Sequence, residues 1–243
     1  MEFNPNQRLD SRENRTADSQ DNGVADVCQV EFYPSSSAPG ASETGKCGRT
    51  NRVQKKLVEQ VEQIKRENPA ATVQLWSEDE ARFGLQPIMR RRWAKVGKRP
   101  LAETNPCYEW TWSYGAVEMA TGESFFLILP NLQASSVEIF LSEFAKAQGV
   151  SKQKIAILLW DGAPAHRAAL KVPAGIELVR LPAYTPELNP SERLWSPLRE
   201  TVANRWFEQI EEMEDVLING IRDLSGQKEY LSSLTKYHWL PSP

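Results

Sequence analysis

Three acids stand where an α/β sheet places its chemistry, at strand ends and at the start of the next helix. They are Asp79 in LWSEDEARFG, Asp161 in ILLWDGAPAH and Glu192 in LPAYTPELNPSERLW. Carboxylates with no Cys/His cluster beside them suit hard, oxygen-seeking divalent cations, Mg²⁺ or Mn²⁺, better than zinc or copper. Two such ions about 3.5–4 Å apart activate an attacking oxygen and stabilise the leaving one in an in-line displacement at phosphorus, with no protein nucleophile. The expectation is therefore three carboxylates that face one another closely enough to share a pair of cations. Each acid also has an ordinary structural use. Asp161 can cap a helix, Glu192 can be the capping-box partner of a turn capped by Asn189 with Pro190 at its first position, and Asp79 can be a loop acid like Glu78 or Glu80.

These acids need elements to hold them. Val53, Leu57, Val61 and Ile64 recur at helical spacing and predict a helix ending before Asn68-Pro69. A strand over Thr72–Trp76 follows, with Asp79 just past it, and then a basic turn and strand through Arg90–Arg99. Strands Trp110–Glu118 and Ser124–Leu129 are joined by a Thr121-Gly122 turn. Residues 135–148 read as a helix with a Val137, Phe140, Leu141, Phe144 stripe, a Ser135/Glu138 capping box and a Gly149 stop. Ile155–Trp160 is a continuous apolar run suited to a central strand. A short helix over Ala165–Lys171, a strand over Ile176–Leu181, and closing helices over 190–205, kinked at Pro197, and 208–224 complete the order. Meander, helix, strand, helix, strand, helix is an α/β plan with a mixed sheet.

The chain has 243 residues, 29 Lys+Arg against 32 Asp+Glu, and a net charge of −3. That length allows one sizeable domain plus an arm. Cys28, Cys47 and Cys107 are too few and too scattered for a disulfide framework or a zinc knuckle, which fits a reducing cytoplasm. With no apolar run near the roughly 20 residues needed to span a bilayer, a soluble, non-secreted protein is expected. Residues 1–50, rich in Asn, Ser, Asp, Gly and Pro, read as a disordered arm outside the fold, residues 51–230 as the folded domain, and 231–243 as a tail. GASETGKC in the arm approximates a phosphate-binding loop, yet it lacks the strand before and the helix after that such a loop requires. Overall charge does not advertise a nucleic-acid binder, but one local run does. Arg90, Arg91, Arg92, Lys95, Lys98 and Arg99 put six cations into ten residues with no acid among them, interrupted by Trp93. The alternative is a solvated basic hairpin. Trp160 and Trp195 are expected in the core.

WSEDEARFG with RRRWAKVGKRP downstream, LLWDGAPAHRA and above all LPAYTPELNPSERLW resemble the mariner-like DDE transposases, including those of bacterial insertion sequences, over residues 51–224. The resemblance implies an RNase H-like mixed sheet flanked by helices. It also implies an Asp79, Asp161, Glu192 triad holding Mg²⁺ or Mn²⁺ in pairs, and double-stranded DNA as partner. Paired transposon ends imply a homodimer when active, in the cytoplasm and associated with the nucleoid. A His stands at the place of His166 in the family, where it would serve hydrogen bonding or contact with substrate phosphate. Two departures from the family are visible. Gly162 replaces a common Asn, and residues 1–50 do not resemble the paired helix-turn-helix units that precede such catalytic domains. A truncated or repurposed DNA-binding relic is therefore the alternative reading.

Overall fold

The computed structural model describes residues 43–97, 105–162, 170–182, 185 and 188–237, with side chains from residue 54 onward. Residues 1–42, Lys98, Arg99, the span 163–169 with His166, and residues 238–243 lie outside that description, as do the expectations placed on them. Among the described residues, five strands form one sheet in the order β3-β2-β1-β4-β5. They are β1 (Thr72–Gly84), β2 (Trp110–Glu118), β3 (Ser124–Leu129), β4 (Lys154–Trp160) and β5 (Ile176–Arg180). The first three run antiparallel as a meander, while β4 and β5 lie parallel to β1. This is the mixed RNase H-like sheet, and its parallel half is covered on both faces as buried parallel strands require.

Helix α2 (Ala134–Gln148) covers one face, where Val137, Phe140, Leu141 and Phe144 pack on Trp76, Tyr114, Leu158 and Trp160. The other face is shared. Leu57 and Val61 of α1 (Glu43–Glu67) meet Leu75, Ile157 and Leu159, and α3 (Trp195–Val202), α4 (Ile210–Ser225) and α5 (Lys228–Thr235) cover Ala81, Phe83 and Val117. Helix α1 begins at Glu43, inside the stretch expected to be a disordered arm, and takes in Gly45 and Lys46 of GASETGKC, so a helix does follow that stretch, contrary to the expectation. Helix α5 buries Leu231 and Thr235 in a stretch the sequence assigned partly to a tail.

Several local expectations are corrected. Strand β1 does not end at Trp76 but runs to Gly84, because β2 pairs with it all the way, Trp76 opposite Glu118 through Gly84 opposite Trp110. Arg90–Gly97 forms no strand; it has no ladder partner, since the β1–β2 pairing is already complete at Gly84. The Ser135/Glu138 capping box is absent. Gln133 holds the cap position and Glu138 instead accepts from the backbone N–H of Lys171 at 2.9 Å. Pro197 does not kink a long helix, because residues 190–194 form a 3-10 turn and α3 starts afresh at Trp195. Pro197 thus falls in the first turn, where its missing N–H leaves no bond unmade.

The turn between β2 and β3 depends on Gly122, whose φ is +73° and whose added Cβ would lie 1.9 Å from the Lys228 carbonyl oxygen at the start of α5. Gly122→Ala is expected to cost roughly 2–4 kcal/mol in urea unfolding, from left-handed strain and displacement of α5. Gly149→Ala is the control. Its φ is +62° but nothing lies within 4 Å of the new Cβ, so its cost should stay near about 1 kcal/mol.

Candidate active site at the β1–β4 edge

Parallel pairing of β1 with β4 runs from Thr72 opposite Lys154 to Ser77 opposite Leu159 and then stops, while β1 itself continues. The same register carried two residues further sets Asp161 abreast of Asp79. Side chains alternate along a strand, so both acids project to the face that carries Leu75, Ile157 and Leu159. Asp79 therefore lies inside the central strand rather than in a loop beyond it. It is buried, at 7% exposure, and Asp161 is half-buried at the strand's end.

The third acid arrives on the 3-10 turn Pro190–Leu194, which is pinned to β1 by a buried polar clasp. The Ser77 hydroxyl donates to Asn189 Oδ1 at 2.6 Å, and the Ser191 N–H donates to Asn189 Oδ1 and Ser77 Oγ, each at 3.2 Å. Asn189 Nδ2 donates to the Glu78 carbonyl at 3.1 Å. Asn189 is thus the cap its sequence context predicts, with Pro190 after it, and it is also the fastener that seats Glu192 over the sheet. Three residues after Glu192, Trp195 Nε1 donates to Asp79 Oδ2 at 2.6 Å.

Electrostatics tie the three acids together. Burial pushes the Asp79 carboxyl up to about 8, the Trp195 hydrogen bond opposes this, and the charges of Glu192, Glu80 and Asp161 add to the rise. Glu192 is exposed at its tip yet also raised, first by partial burial and then by Asp161, with Arg199 pulling it down. Mutual repulsion of this kind is what a divalent cation relieves, and a set of carboxylate oxygens fits a hard ion such as Mg²⁺ or Mn²⁺. The geometry is wider than the sequence led us to expect. Among the described residues, no group of three or more His, Cys, Asp and Glu side chains is close enough as placed to hold a metal ion. Glu192 is the acid with room to move, since its side chain is exposed while Asp79 is held.

Of the basic run, Arg90, Arg91, Arg92 and Lys95 are exposed. Arg90 pairs with Glu200 of α3 at 2.6 Å, and its backbone N–H donates to Asn204 Oδ1, which fastens the segment beside the helix that follows Glu192. Trp93 is 80% exposed, so it does not pack in the core. Trp160 and Trp195 are buried as expected. Sequence reasoning missed the hydrogen bond of Trp195 to Asp79, the Ser77–Asn189 clasp, and Arg199 beside Glu192. Only the last has a local signal, being seven residues on and so two helical turns away.

An uncharacterized protein of Sinorhizobium fredii, y4pE/y4sA, is 33% identical over 106 residues, which cover 43% of this chain and 77% of that protein. Among solved structures, the Mos1 transposase paired-end complex with left transposon end is 18% identical with a TM-score of 0.48, over 87% of this chain and 67% of that one. The mariner Mos1 paired-end complex with Mg is also 18% identical, with a TM-score of 0.49, over 88% and 68%. The DDE superfamily endonuclease family matches residues 74–214, a span that contains Asp79, Asp161 and Glu192 together with the strands and turn that carry them. The chain belongs to the DDE superfamily of endonucleases.

Proposed function

We propose that this chain is the catalytic domain of a cut-and-paste DNA transposase. Water hydrolyses a phosphodiester to free a 3′-hydroxyl, and that hydroxyl then attacks a phosphodiester of target DNA, displacing its 3′-oxygen. Asp79, Asp161 and Glu192 would hold Mg²⁺ or Mn²⁺, in a pair, for both steps. When bound, the cations supply activation of the attacking oxygen and charge stabilisation of the leaving oxygen. The observation that carries this reading is the β1–β4 register that sets Asp161 abreast of buried Asp79, with the turn of Glu192 clasped to the same strand through Asn189.

The protein's own groups do the rest. Trp195 fixes Asp79 Oδ2, and Asp79 would have to be ionised to hold a cation. Asn189 and Ser77 hold the turn of Glu192 against β1. Arg90, Arg91, Arg92 and Lys95, together with Lys98, Arg99 and His166, meet phosphates of the duplex. Two chains bring two transposon ends together.

Supercoiled plasmid nicking in Mg²⁺ or Mn²⁺ tests the reading. Wild-type protein is expected to nick, and Glu192→Gln to lose roughly a thousand-fold in rate while keeping its fold, since Glu192 is exposed. Unchanged nicking by the variant would remove Glu192 from the centre. Duplex binding without any cation-dependent nicking by the wild type would make the chain a DNA-binding relic.

A further inference from the structure

We propose that Trp195, seated over Gly115, is a positioning residue that fixes one carboxylate oxygen of Asp79 and turns the other toward the cation. The inference rests on the reading of Asp79 as a cation ligand and adds a residue to that site.

Three observations converge on it. Gly115 of β2 stands directly opposite Asp79 of β1 in the antiparallel register. A Cβ built there would lie 2.9 Å from Trp195 Cη2 and 2.8 Å from Phe126 Cε1, so the indole occupies the space that any other residue would fill. Glycine inside a central strand weakens it, and close approach of another group is the usual reason for it. The indole is also wedged in place. Phe83 and Phe126 meet it edge-on, each with a centroid separation of 6.4 Å and with interplanar angles of 67° and 77°. Trp195 is 2% exposed, so rotation of the ring would have to open the core.

The donor chemistry fits the task. An indole N–H donates and cannot accept or bind a cation, so it orients Asp79 without competing for the ion. Trp76, a buried tryptophan on the opposite face, has no hydrogen-bond partner for its N–H among the described residues, so burial of a tryptophan does not by itself bring such a bond. Because Trp195 is the first residue of α3 and follows directly on the turn of Glu192, the same short segment sets both acids. Groups that orient a metal ligand are typically worth about 10–100-fold in metal affinity.

The test compares full-length wild type, Trp195→Phe, and protein carrying benzothienylalanine at position 195, which keeps the bicyclic shape and replaces N–H with sulfur. Mn²⁺ binding is read by electron paramagnetic resonance, unfolding by urea, and nicking as KM for Mn²⁺ against kcat. Asp79→Asn defines which bound Mn²⁺ belongs to this site. Both variants are expected to weaken that Mn²⁺ by about 10–100-fold and to raise the apparent KM for Mn²⁺ more than they lower kcat. The benzothienyl protein should unfold within the error of wild type. Mn²⁺ affinity within twofold of wild type in the benzothienyl protein overturns the proposal, as does an Asp79→Asn protein that binds Mn²⁺ like wild type. If no protein nicks DNA but the affinity differences remain, the positioning role stands and the transposase reading fails.

Discussion

Asp79→Asn is expected to make the metal-free protein more stable at neutral pH and inactive in plasmid nicking. The carboxyl is buried and pushed up to about 8 from an ordinary 3.8, by burial first and then by the charges of Glu192, Glu80 and Asp161. Below about pH 3.8 it is protonated in the folded and the unfolded chain alike, and it costs nothing. Between pH 3.8 and about 8 the unfolded chain releases this proton while the folded one keeps it, so stability falls as pH rises, by about 1.4 kcal/mol per unit. Above about pH 8 both forms are ionised and the deficit is constant. At pH 7 that deficit is roughly 4 kcal/mol. Asparagine keeps an oxygen to accept the Trp195 N–H and carries no charge, so it removes this slope. Urea unfolding with chelator from pH 4 to 9 should show the variant gaining on wild type steadily up to about pH 8. Parallel curves would show that Asp79 keeps no proton in the folded state. Mg²⁺ should restore wild-type stability by mass action and leave the variant unmoved.

Asn189→Ala is expected to cost roughly 3–4 kcal/mol and to reduce nicking more than tenfold at temperatures where the variant remains folded. Asn189 is 2% exposed and makes three hydrogen bonds, to the Ser77 hydroxyl, the Ser191 N–H and the Glu78 carbonyl. Alanine leaves those groups buried with fewer partners. It also frees the 3-10 turn from β1, so the backbone of Glu192 is no longer tied to the strand that carries Asp79. Urea unfolding gives the first number and plasmid nicking in Mn²⁺ the second. A stability loss with unchanged nicking in the folded variant would show that the clasp supports the fold and not the site.

Much of the sheet was legible because its physics is local. Strands Trp110–Glu118 and Ser124–Leu129 have the bounds the sequence predicts, since aromatic and large aliphatic residues are concentrated there and a Thr-Gly turn separates them. Helix α2 shows itself through a four-residue stripe, all of it buried. Strand β1 was misjudged because Ser77, Glu78 and Asp79 are polar yet buried, a pattern that reads as loop in a one-dimensional text. Local rules fail where a site is built, and that stretch is the one that carries Asp79. The bond from Trp195 to Asp79 spans 116 positions, and no spacing rule reaches so far. The place of Asp161 at the end of a strand was legible, while the burial of Asp79 within β1 and the distances among the three acids were not.

The order in which the chain pairs its strands has a consequence for when this centre exists. The β1–β2–β3 meander is made of neighbours in sequence, whereas β1 meets β4 only after the chain between Ser77 and Leu159 has looped back. Such remote closure is slow compared with hairpin formation, and domains fold as synthesis proceeds. A half-made chain still on the ribosome can therefore hold its hairpins while Asp161, Asn189 and Trp195 have yet to join them. The strand of Asp79 meets Asp161, Asn189 and Trp195 only once the last third of the polypeptide has docked on the meander.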